Sequence, residues 1–136
     1  MKKKTIIIII LAVIILGIIF LFLRGDEDSW IKDSRGIWIK HGNPSESNTP
    51  SEVKEQQEII NQAKELYNKN KSQGMDFSSQ CLGTISVNNI LYVVDIVHVP
   101  RTQEDNIQEN QCEDFIIGRV QHFIKLDKEE NVVRIV

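Results

Sequence analysis

The sequence predicts an α+β fold in which one amphipathic helix packs on a roughly four-stranded antiparallel sheet, behind an N-terminal transmembrane helix. Three observations lead to this prediction. Residues 6–23 form an unbroken run of 18 apolar side chains. Apolar residues then recur at helical spacing within residues 49–72, and short runs rich in β-branched residues alternate with turns after residue 80. A helix followed by strands that return on one another is typical of an α+β domain.

The apolar run predicts a membrane anchor. As a helix its 18 residues would measure ~27 Å, close to the ~30 Å hydrocarbon core of a bilayer. The alternative is a cleaved signal peptide, whose apolar region is usually ~7–15 residues long and ends in small residues. The best cleavage site, Leu23-Arg24-Gly25, has bulky Leu23 where a small residue is needed. We therefore expect an uncleaved signal anchor, with the lipid bilayer as a partner.

The flanking charges predict the orientation of this anchor. Lys2, Lys3 and Lys4 precede the span, whereas Arg24 follows it and is offset by acidic residues at 26–28. Because basic residues are retained on the cytoplasmic side, the N-terminus should be cytoplasmic and the rest extracytoplasmic. The expected localisation is the cell membrane, with a single pass. The predicted organisation is residues 1–24 as lysine-rich start and span, 25–48 as juxtamembrane linker, and 49–136 as the outer domain.

The charge balance excludes some partners. Four of the 16 basic residues and none of the 19 acidic residues lie in residues 1–24. The outer part therefore has 12 basic and 19 acidic residues and a formal net charge of −7. Such a surface is repelled by phosphate backbones, so nucleic acid is not an expected partner. The outer part is long enough for one small domain.

Cys81 and Cys112 are the two cysteines of the chain. In an extracytoplasmic protein an even number of cysteines predicts a disulfide. Closing a loop of about 32 residues would stabilise the fold by ~3–4 kcal/mol on the chain-entropy model. Free thiols and a metal-binding or catalytic pair remain alternatives, but a metal site needs further ligands at short spacing. We expect no metal and no cofactor.

The juxtamembrane segment predicts a small tryptophan hairpin. Two strand-like runs, residues 30–32 and 37–40, flank a turn that contains Gly36. In one interpretation Trp38 packs across the ribbon on Ile31. In the other, Trp30 and Trp38 lie at the membrane interface, where their amphipathic rings are favoured.

Residues 30–45 contain Trp30, a turn and then the string Gly36-x-Trp38-x-Lys40-His41-Gly42-Asn43-Pro44-Ser45. This patch resembles a segment that follows the anchor in uncharacterised membrane proteins of archaea and candidate bacterial phyla. The resemblance implies membrane anchoring and no known activity. Those relatives often have a cysteine soon after the first tryptophan, whereas this chain has Lys32 and its neighbours there. The ribbon therefore lacks a cross-link.

Helix signals begin at residue 49. Thr49 is the expected cap, Pro50 suits the first helical position, and Glu52 would complete a capping box. The helix should end between residues 70 and 74, where polar residues lead to a glycine. Its apolar face is formed by Val53, Ile59, Ile60, Ala63, Leu66 and Tyr67.

Asn70-Lys71-Ser72 at the predicted helix end is a glycosylation sequon. The motif is short and frequent by chance. It lies on the side of the membrane where glycosylation occurs, so Asn70 is a possible glycosylation site.

The remaining chain predicts strands at residues 81–85, 90–99, 115–126 and 132–136, with a turn at Asn88-Asn89. The strand at 90–99 is apolar on both faces, so it should be central and covered by the helix on at least one side. One of its faces carries Tyr92, Val94, Ile96 and His98, and the other carries Leu91, Val93, Asp95, Val97 and Val99.

This order of elements, together with the closing string Val132-Val133-Arg134-Ile135-Val136, looks like PepSY and cystatin-type extracytoplasmic domains. The resemblance covers residues 50–136 in pattern. The usual Thr-Gly of the last turn is replaced by residues 129–131, Glu-Glu-Asn. Such a resemblance implies inhibition or modulation of peptidases, or partner binding, rather than catalysis.

Residues 101–114 predict a long polar loop. Long ordered loops are often functional, so we take Arg101, Glu104 and Asp105, with Trp30 and Trp38, as a candidate contact surface. The alternative is a variable loop held by the disulfide.

The candidates for catalysis are Asp95, His98, His122, Glu113 and Asp114. Asp95 and His98 should lie on opposite faces of one strand. His98 and His122 could meet across neighbouring strands. We therefore expect a membrane-tethered binding or structural module that is not an enzyme, with a second extracytoplasmic or membrane protein as partner. The alternative is a membrane-anchored enzyme or metal-binding protein that uses His98 and His122.

Overall fold

The computed structural model describes residues 3–23 and 28–136. The apolar run lies in helix α1, Lys3–Leu23, and the large apolar side chains within residues 6–20 are 41–67% exposed. Among the described residues, no helix is both long enough and apolar enough to cross a membrane. The side chains of residues 21–23, and Arg24 with the following linker to residue 27, lie outside the described part of the chain. The transmembrane assignment stays a prediction.

A two-stranded hairpin and an α+β domain make up residues 28–136. Their helices and strands are β1 (Ser29–Lys32), β2 (Trp38–His41), α2 (Ser51–Ser72), β3 (Gln80–Val87), β4 (Ile90–Ile96), α3 (Glu113–Ile116), β5 (His122–Leu126) and β6 (Val132–Ile135). Short 3₁₀ turns lie at Glu46–Asn48, Glu104–Asn106 and Gln108–Asn110. The predicted α+β class is confirmed.

The start of α2 differs from the predicted capping box. Its cap residue is Pro50, whose backbone is extended, and no side chain donates or accepts a cap hydrogen bond there. Thr49 lies one residue too early to cap, so the predicted role of its hydroxyl is wrong. The Oγ of Ser51 instead donates to the carboxylate of Glu52 at 3.1 Å.

The end of α2 matches the sequence signal. Gly74 has a φ of +83°, a conformation that costs glycine little. Its N–H donates to Lys71 O at 3.1 Å, and the N–H of Met75 donates to Asn70 O at 3.2 Å. These two bonds satisfy carbonyls that the last helical turn leaves free.

Helix α2 covers one face of the sheet and forms the main core with it. The contact includes Tyr67, which is 1% exposed and whose hydroxyl donates to Lys128 O at 2.6 Å. Burial of this apolar surface is the main source of stability for the domain. The buried members of the core are Ile59, Ala63, Tyr67, Phe77, Ile85, Val87, Tyr92, Val94, Ile96, Ile124 and Leu126.

Strands β3 and β4 form a hairpin at the predicted Asn88-Asn89 turn. Both asparagines have positive φ, 50° and 65°, as a two-residue hairpin turn requires. Strand β4 is central and buried on both faces, as its composition predicts. It ends at Ile96 rather than at residue 99.

The sheet is mixed, so the predicted antiparallel sheet is wrong. Its order is β3-β4-β5-β6, and β4 runs parallel to β5 whereas the two outer pairs are antiparallel. The reason is the connection at residues 97–121, which returns the chain to the starting end of β4. Parallel neighbours need such a crossover, whereas a hairpin loop would reverse the direction.

The predicted strand at 115–126 is also too long. Residues 113–116 form the single turn α3, because the N–H groups of Phe115 and Ile116 donate to Cys112 O. Gly118, with a φ of +74°, then turns the chain, and β5 begins only at His122. A short run of apolar and β-branched residues can form either a strand or a turn of helix, and its composition alone does not distinguish the two.

The tryptophan hairpin forms as predicted but with another register. Strands β1 and β2 pair Lys32 with Trp38 and Ile31 with Ile39. Side chains alternate between the two faces of a ribbon, so the expected packing of Trp38 on Ile31 is wrong. The Nζ of Lys32 lies 5.1 Å from the Trp38 ring centroid instead.

This hairpin is attached to the α+β domain. The backbone N–H of Trp38 donates to Gln56 Oε1 at 2.7 Å, and Gln56 Nε2 donates back to Trp38 O at 3.3 Å. The N–H of Ile135 donates to Arg35 O at 2.9 Å. A Cβ at Gly36 would collide with the carbonyl oxygen of Ile135. A glycine at position 36 therefore permits this close approach, and the hairpin covers part of the edge of β6.

Candidate functional site on the sheet face opposite the helix

Four reactive or charged side chains form one line across the sheet. The register pairs Cys81 on β3 with Asp95 on β4, Asp95 with Lys125 on β5, and Lys125 with Arg134 on β6. Tyr92, Val94 and Ile96 of β4 belong to the core beneath α2, so Asp95 points to the other face because strand side chains alternate. We call these four residues the cross-sheet row.

The first member of the row is disulfide-bonded. The Sγ atoms of Cys81 and Cys112 are 1.97 Å apart, which confirms the predicted disulfide. Cys112 is 2% exposed, whereas Cys81 is half-buried. The bond joins β3 to the residue before α3 and so holds the crossover against the sheet.

Asp95 is the buried carboxyl of the row and is 7% exposed. Its Oδ2 lies 3.9 Å from Lys125 Nζ, and its Oδ1 lies 3.5 Å from Cys112 Sγ. Burial raises the pKa of Asp95 to about 6, although the cations of Lys125 and Arg101 act in the opposite direction. This carboxyl therefore changes its charge close to neutral pH.

Asp95 and the two cysteines are also the group that comes nearest to a metal-binding arrangement. Their ligand-type atoms lie within 4.8 Å of one another. A metal would need the sulfurs as thiolates, but in this form the two sulfurs are bonded to each other. The group is therefore not a metal centre while the disulfide is intact.

Lys125 and Arg134 place two positive charges directly opposite each other on neighbouring strands. Like charges at such positions are destabilising. Both cations lie over the Phe123 ring, with Lys125 Nζ 5.1 Å and the Arg134 guanidinium carbon 5.9 Å from its centroid. Burial lowers the pKa of Lys125, partly opposed by the charge of Asp95.

A cleft of about 290 Å³ opens beside these cations. Arg101 from the crossover adds a third positive charge to its lining. We call it the cationic cleft, because its charged side chains are all positive although residues 25–136 have a formal net charge of −7. Its lining consists of Val97, His98, Val99, Arg101, Phe123, Lys125, Val133 and Arg134.

Asp105, predicted as a contact residue, is 3% exposed, so that prediction is wrong. Its carboxylate accepts hydrogen bonds from the N–H groups of His98 at 3.0 Å and Thr102 at 2.7 Å, and it contacts His98 Nδ1 at 3.1 Å. Burial acts to raise the pKa of Asp105, but these donors outweigh it and lower that pKa to about 2. Asp105 is therefore a buried residue that fixes the conformation of this loop through its hydrogen bonds.

The other two loop residues of the predicted contact surface, Arg101 and Glu104, are exposed. Arg101 Nη2 donates to Asp105 O at 3.1 Å. This bond positions the guanidinium at the rim of the cationic cleft. Glu104 Oε2 lies 3.8 Å from His98 Nε2, at the outer side of the same loop.

The two histidines proposed as a pair are not brought together. The parallel register places His122 opposite Tyr92, six residues before His98, a separation of roughly 20 Å along the strands. The His122 ring packs on Tyr92 with centroids 5.2 Å apart. His98 instead faces Asp105. The alternative based on these histidines therefore has no shared site.

Glu113 and Asp114, the remaining catalytic candidates, lie in α3. Asp114 forms an ion pair with Arg119. Neither residue belongs to the cross-sheet row or lines the cationic cleft.

Trp30 and Trp38 are half-buried in the hairpin rather than fully exposed. Lys40 Nζ lies 5.6 Å from the Trp30 ring centroid. Within the described residues, Trp30 Nε1 is buried without a hydrogen-bond partner. Trp38 lines a second cleft of about 300 Å³ between the hairpin, α2 and the sheet. That cleft has charged groups of both signs, so no single ligand charge is favoured there.

Asn70, the possible glycosylation site, lies in the last turn of α2 and is half-buried. Its Nδ2, the atom to which a glycan would be attached, donates to Leu66 O at 2.8 Å. Glycosylation at this position stays a prediction.

Comparison of the chain with protein-family models, with characterised proteins and with solved structures finds no match. The resemblances at residues 30–45 and 50–136 therefore stay predictions.

Sequence reasoning missed Lys125 and Arg134 and set Asp95 aside. A signal was present, because Asp95 interrupts an otherwise apolar strand and Lys125 interrupts another. Their neighbourhood, however, depends on the parallel pairing of β4 with β5, which the sequence pattern did not predict.

Proposed function

We propose that this protein is a membrane-tethered binding module that holds a small organic anion in the cationic cleft. The observation that carries the proposal is the placement of Lys125 opposite Arg134, with both cations over Phe123. A bound anion would relieve their repulsion. Positively charged side chains held by a rigid sheet are already oriented for such a ligand, so little ordering free energy is lost on binding.

The internal carboxyls neutralise this cluster only in part. Asp95 forms an ion pair with Lys125 Nζ at 3.9 Å. Lys125, Arg134 and Arg101 all line the cleft, whereas Asp95 does not. Asp105 directs its carboxylate to donors from His98 and Thr102. The cleft therefore keeps a net positive charge, which an anionic ligand can balance.

The walls of the cleft indicate the rest of the ligand. Val97, Val133 and Phe123 give it apolar sides, and its volume of about 290 Å³ is at the small end of ligand sites. A carboxylate or phosphate that carries a compact apolar group matches both the charge and the shape. The ligand class is therefore a small amphipathic anion.

The tethering part of the proposal is supported by the sequence and by helix α1. Residues 6–23 are apolar without interruption, and they lie in the helix Lys3–Leu23. An exposed apolar helix face is unfavourable in water. With Lys2, Lys3 and Lys4 on the cytoplasmic side, the domain that contains the cleft would face outward.

Binding is tested with the full chain in non-ionic detergent micelles, by titrating phenyl phosphate and following backbone amide NMR shifts. We expect a Kd of about 1 mM, in keeping with the size of the ligand, and the largest shifts at β5 and β6. Lys125→Met and Arg134→Met should each weaken binding about tenfold or more, because each removes a charge-assisted contact.

Lys54→Met, a substitution on the exposed side of α2, is the matched control and should bind like the parent. Inorganic phosphate should bind more weakly than phenyl phosphate, and benzyl alcohol should not shift these amides. Equal affinities for the parent and the Lys125→Met and Arg134→Met variants would reject the cleft as the site.

The tether is tested in membranes prepared from cells that express the chain. Alkaline carbonate should leave the parent in the membrane pellet, whereas Ile10→Asp combined with Ile14→Asp should release it, since each centrally placed acid costs several kcal/mol in a bilayer. Protease added to intact spheroplasts should digest the outer domain. Protection of that domain would contradict the proposed orientation.

A further inference from the structure

We infer that the Cys81–Cys112 disulfide is a redox-active centre that exchanges with a dithiol substrate, with Asp95 carrying the proton to and from the sulfur of Cys112. This activity goes beyond ligand binding and does not depend on it. It rests on the position of a buried carboxyl beside one sulfur of the pair. It also rests on the unequal burial of the two cysteines.

The contacts of Asp95 are unusual for a purely structural residue. Its Oδ1 is 3.5 Å from Cys112 Sγ, close enough for direct proton transfer after the sulfur–sulfur bond opens. A buried carboxylate is costly unless donors surround it, as they do around Asp105. Asp95 contacts a sulfur and, at 3.9 Å, the ammonium of Lys125. A carboxyl in this position contributes little to the stability of the fold, but it can exchange a proton with the sulfur of Cys112.

The unequal burial assigns the two sulfurs different roles. Cys81 on β3 is more exposed than Cys112, so we assign the attack of an external thiolate to its sulfur. Cys112 is 2% exposed, so its sulfur is the leaving group. Departure of a thiolate into a buried site is unfavourable, and a proton from Asp95 removes that charge.

The cationic cleft favours the approach of the nucleophile. Thiolates are anions, and Lys125 lies two strands from Cys81 in the same row, a distance of roughly 10 Å. The cations on this face of the sheet attract thiolates from solution. The cleft and the disulfide lie on the same face of the sheet, the one opposite α2.

In the first step a substrate thiolate attacks Cys81 Sγ, forming a substrate–Cys81 disulfide and breaking the Cys81–Cys112 bond. The departing electron pair remains on Cys112 Sγ, which takes the proton of the Asp95 carboxylic acid. In the second step the other substrate thiol, as its thiolate, attacks the substrate sulfur of the mixed disulfide. Cys81 leaves as a thiolate, and the substrate is released as a disulfide, oxidised by two electrons.

The reverse sequence restores the disulfide from an oxidised dithiol partner. In that direction the Asp95 carboxylate accepts the proton of Cys112, whose sulfur then attacks the mixed disulfide at Cys81. The same carboxyl thus acts as acid in one direction and as base in the other.

Charged groups on every neighbouring element bear on the protonation of Asp95. They are Lys125 on β5, Arg101 and Asp105 in the crossover, and, one strand beyond Lys125, Arg134 on β6. Cys81 on β3 and Cys112 before α3 do not titrate while they are bonded.

The test is reduction of the full chain in non-ionic detergent micelles by dithiothreitol between pH 5 and 8.5, followed by thiol alkylation and mass spectrometry. Rates are divided by the dithiothreitol thiolate concentration. In the parent this corrected rate should fall about tenfold as the pH rises through the titration of Asp95. In Asp95→Asn it should be flat, and at pH 5 about tenfold below that of the parent.

Glu109→Gln, which replaces an exposed carboxyl of the same crossover, is the matched control and should follow the parent profile. The fold of each variant is checked by its amide NMR spectrum. If Asp95→Asn keeps the parent pH profile, Asp95 does not transfer the proton.

A second measurement uses the parent chain alone. After brief treatment with the monothiol glutathione, peptide mapping should locate the mixed disulfide on Cys81. A mixed disulfide on Cys112, or complete resistance of the native bond to both thiols, would overturn the inference.

Discussion

The two faces of the four-stranded sheet are built from the same strands but differ in chemistry. Beneath α2, Tyr92, Val94 and Ile124 belong to a continuous apolar core. On the opposite face, the neighbouring positions Asp95 and Lys125 belong to the cross-sheet row. The helix buries the central part of this face under apolar side chains. The other face is covered only in part by the crossover, so charged and reactive groups can persist there.

Two buried carboxyls lie on or beside that second face, and their pKa values are shifted in opposite directions. Asp95 is 7% exposed and Asp105 is 3% exposed, yet the pKa of Asp95 is raised to about 6 and that of Asp105 is lowered to about 2. Asp105 accepts hydrogen bonds from backbone N–H groups, whereas Asp95 lies against a sulfur. The donors that surround a carboxyl therefore decide its charge more than its depth does.

The largest expected effect concerns the disulfide. Replacing Cys81 and Cys112 together by serine should lower the free energy of unfolding by about 4 kcal/mol, because the unfolded chain loses a closed loop of about 32 residues. Denaturant unfolding of the full chain in micelles measures this change. A loss below about 1 kcal/mol would mean that the crossover is held by its other contacts and that the bond contributes little to stability.

A substitution in the core beneath α2 should lower the free energy of unfolding almost as much. Ile124 is 0% exposed, and Ile124→Ala should cost about 3 kcal/mol through lost burial and the cavity left behind. Arg134→Gln on the opposite face should change stability by less than about 0.5 kcal/mol, since it removes a repulsion from an exposed side chain. If denaturant unfolding shows a similar loss of free energy for both variants, the two faces do not differ in their contribution to stability.

The pH dependence of stability should report Asp95. Its folded pKa of about 6 lies above the unfolded value, so the folded state binds the proton more tightly and stability falls as the pH rises from about 4 to 6. The loss should be about 2–3 kcal/mol. Asp95→Asn should remove this slope, and denaturation midpoints at pH 4, 6 and 8 measure it. A slope that survives the substitution would assign it to another group.

Asp105 should show the opposite sign. Its folded pKa of about 2 lies below the unfolded value, so its contribution of about 2 kcal/mol is present above pH 4 and is lost as the pH falls towards 2. Asp105→Asn should cost about this amount at neutral pH and flatten the acid limb of the unfolding curve. Glu104→Gln, a neighbouring exposed carboxyl, is the control and should leave that limb unchanged.

Local chemistry allowed several parts of the fold to be predicted from the sequence. The amphipathic pattern of α2, the Asn88-Asn89 turn and the disulfide needed no knowledge of distant contacts. Helix and turn signals lie within a few residues of one another, and two cysteines allow one pairing. The helix and the turn agree with the structure because short-range interactions determine them, and the disulfide agrees because the chain has only two cysteines.

Several errors concern the segment after β4. The sequence pattern predicted a strand at 115–126, Asp105 as a contact residue and a possible meeting of His98 with His122. The first followed from β-branched composition, and the other two took residues 101–114 as a loop between neighbouring strands. The crossover, held to β3 by Cys112, instead buries Asp105 and brings β5 back parallel to β4.

By itself the sequence determined an apolar N-terminal segment that forms a helix, an acidic α+β domain after it and one disulfide. Only the tertiary structure decided that Cys81, Asp95, Lys125 and Arg134 lie in one row. Strand direction and register place these residues side by side. Both are set by contacts between segments far apart in the chain, which periodicity along the sequence does not encode.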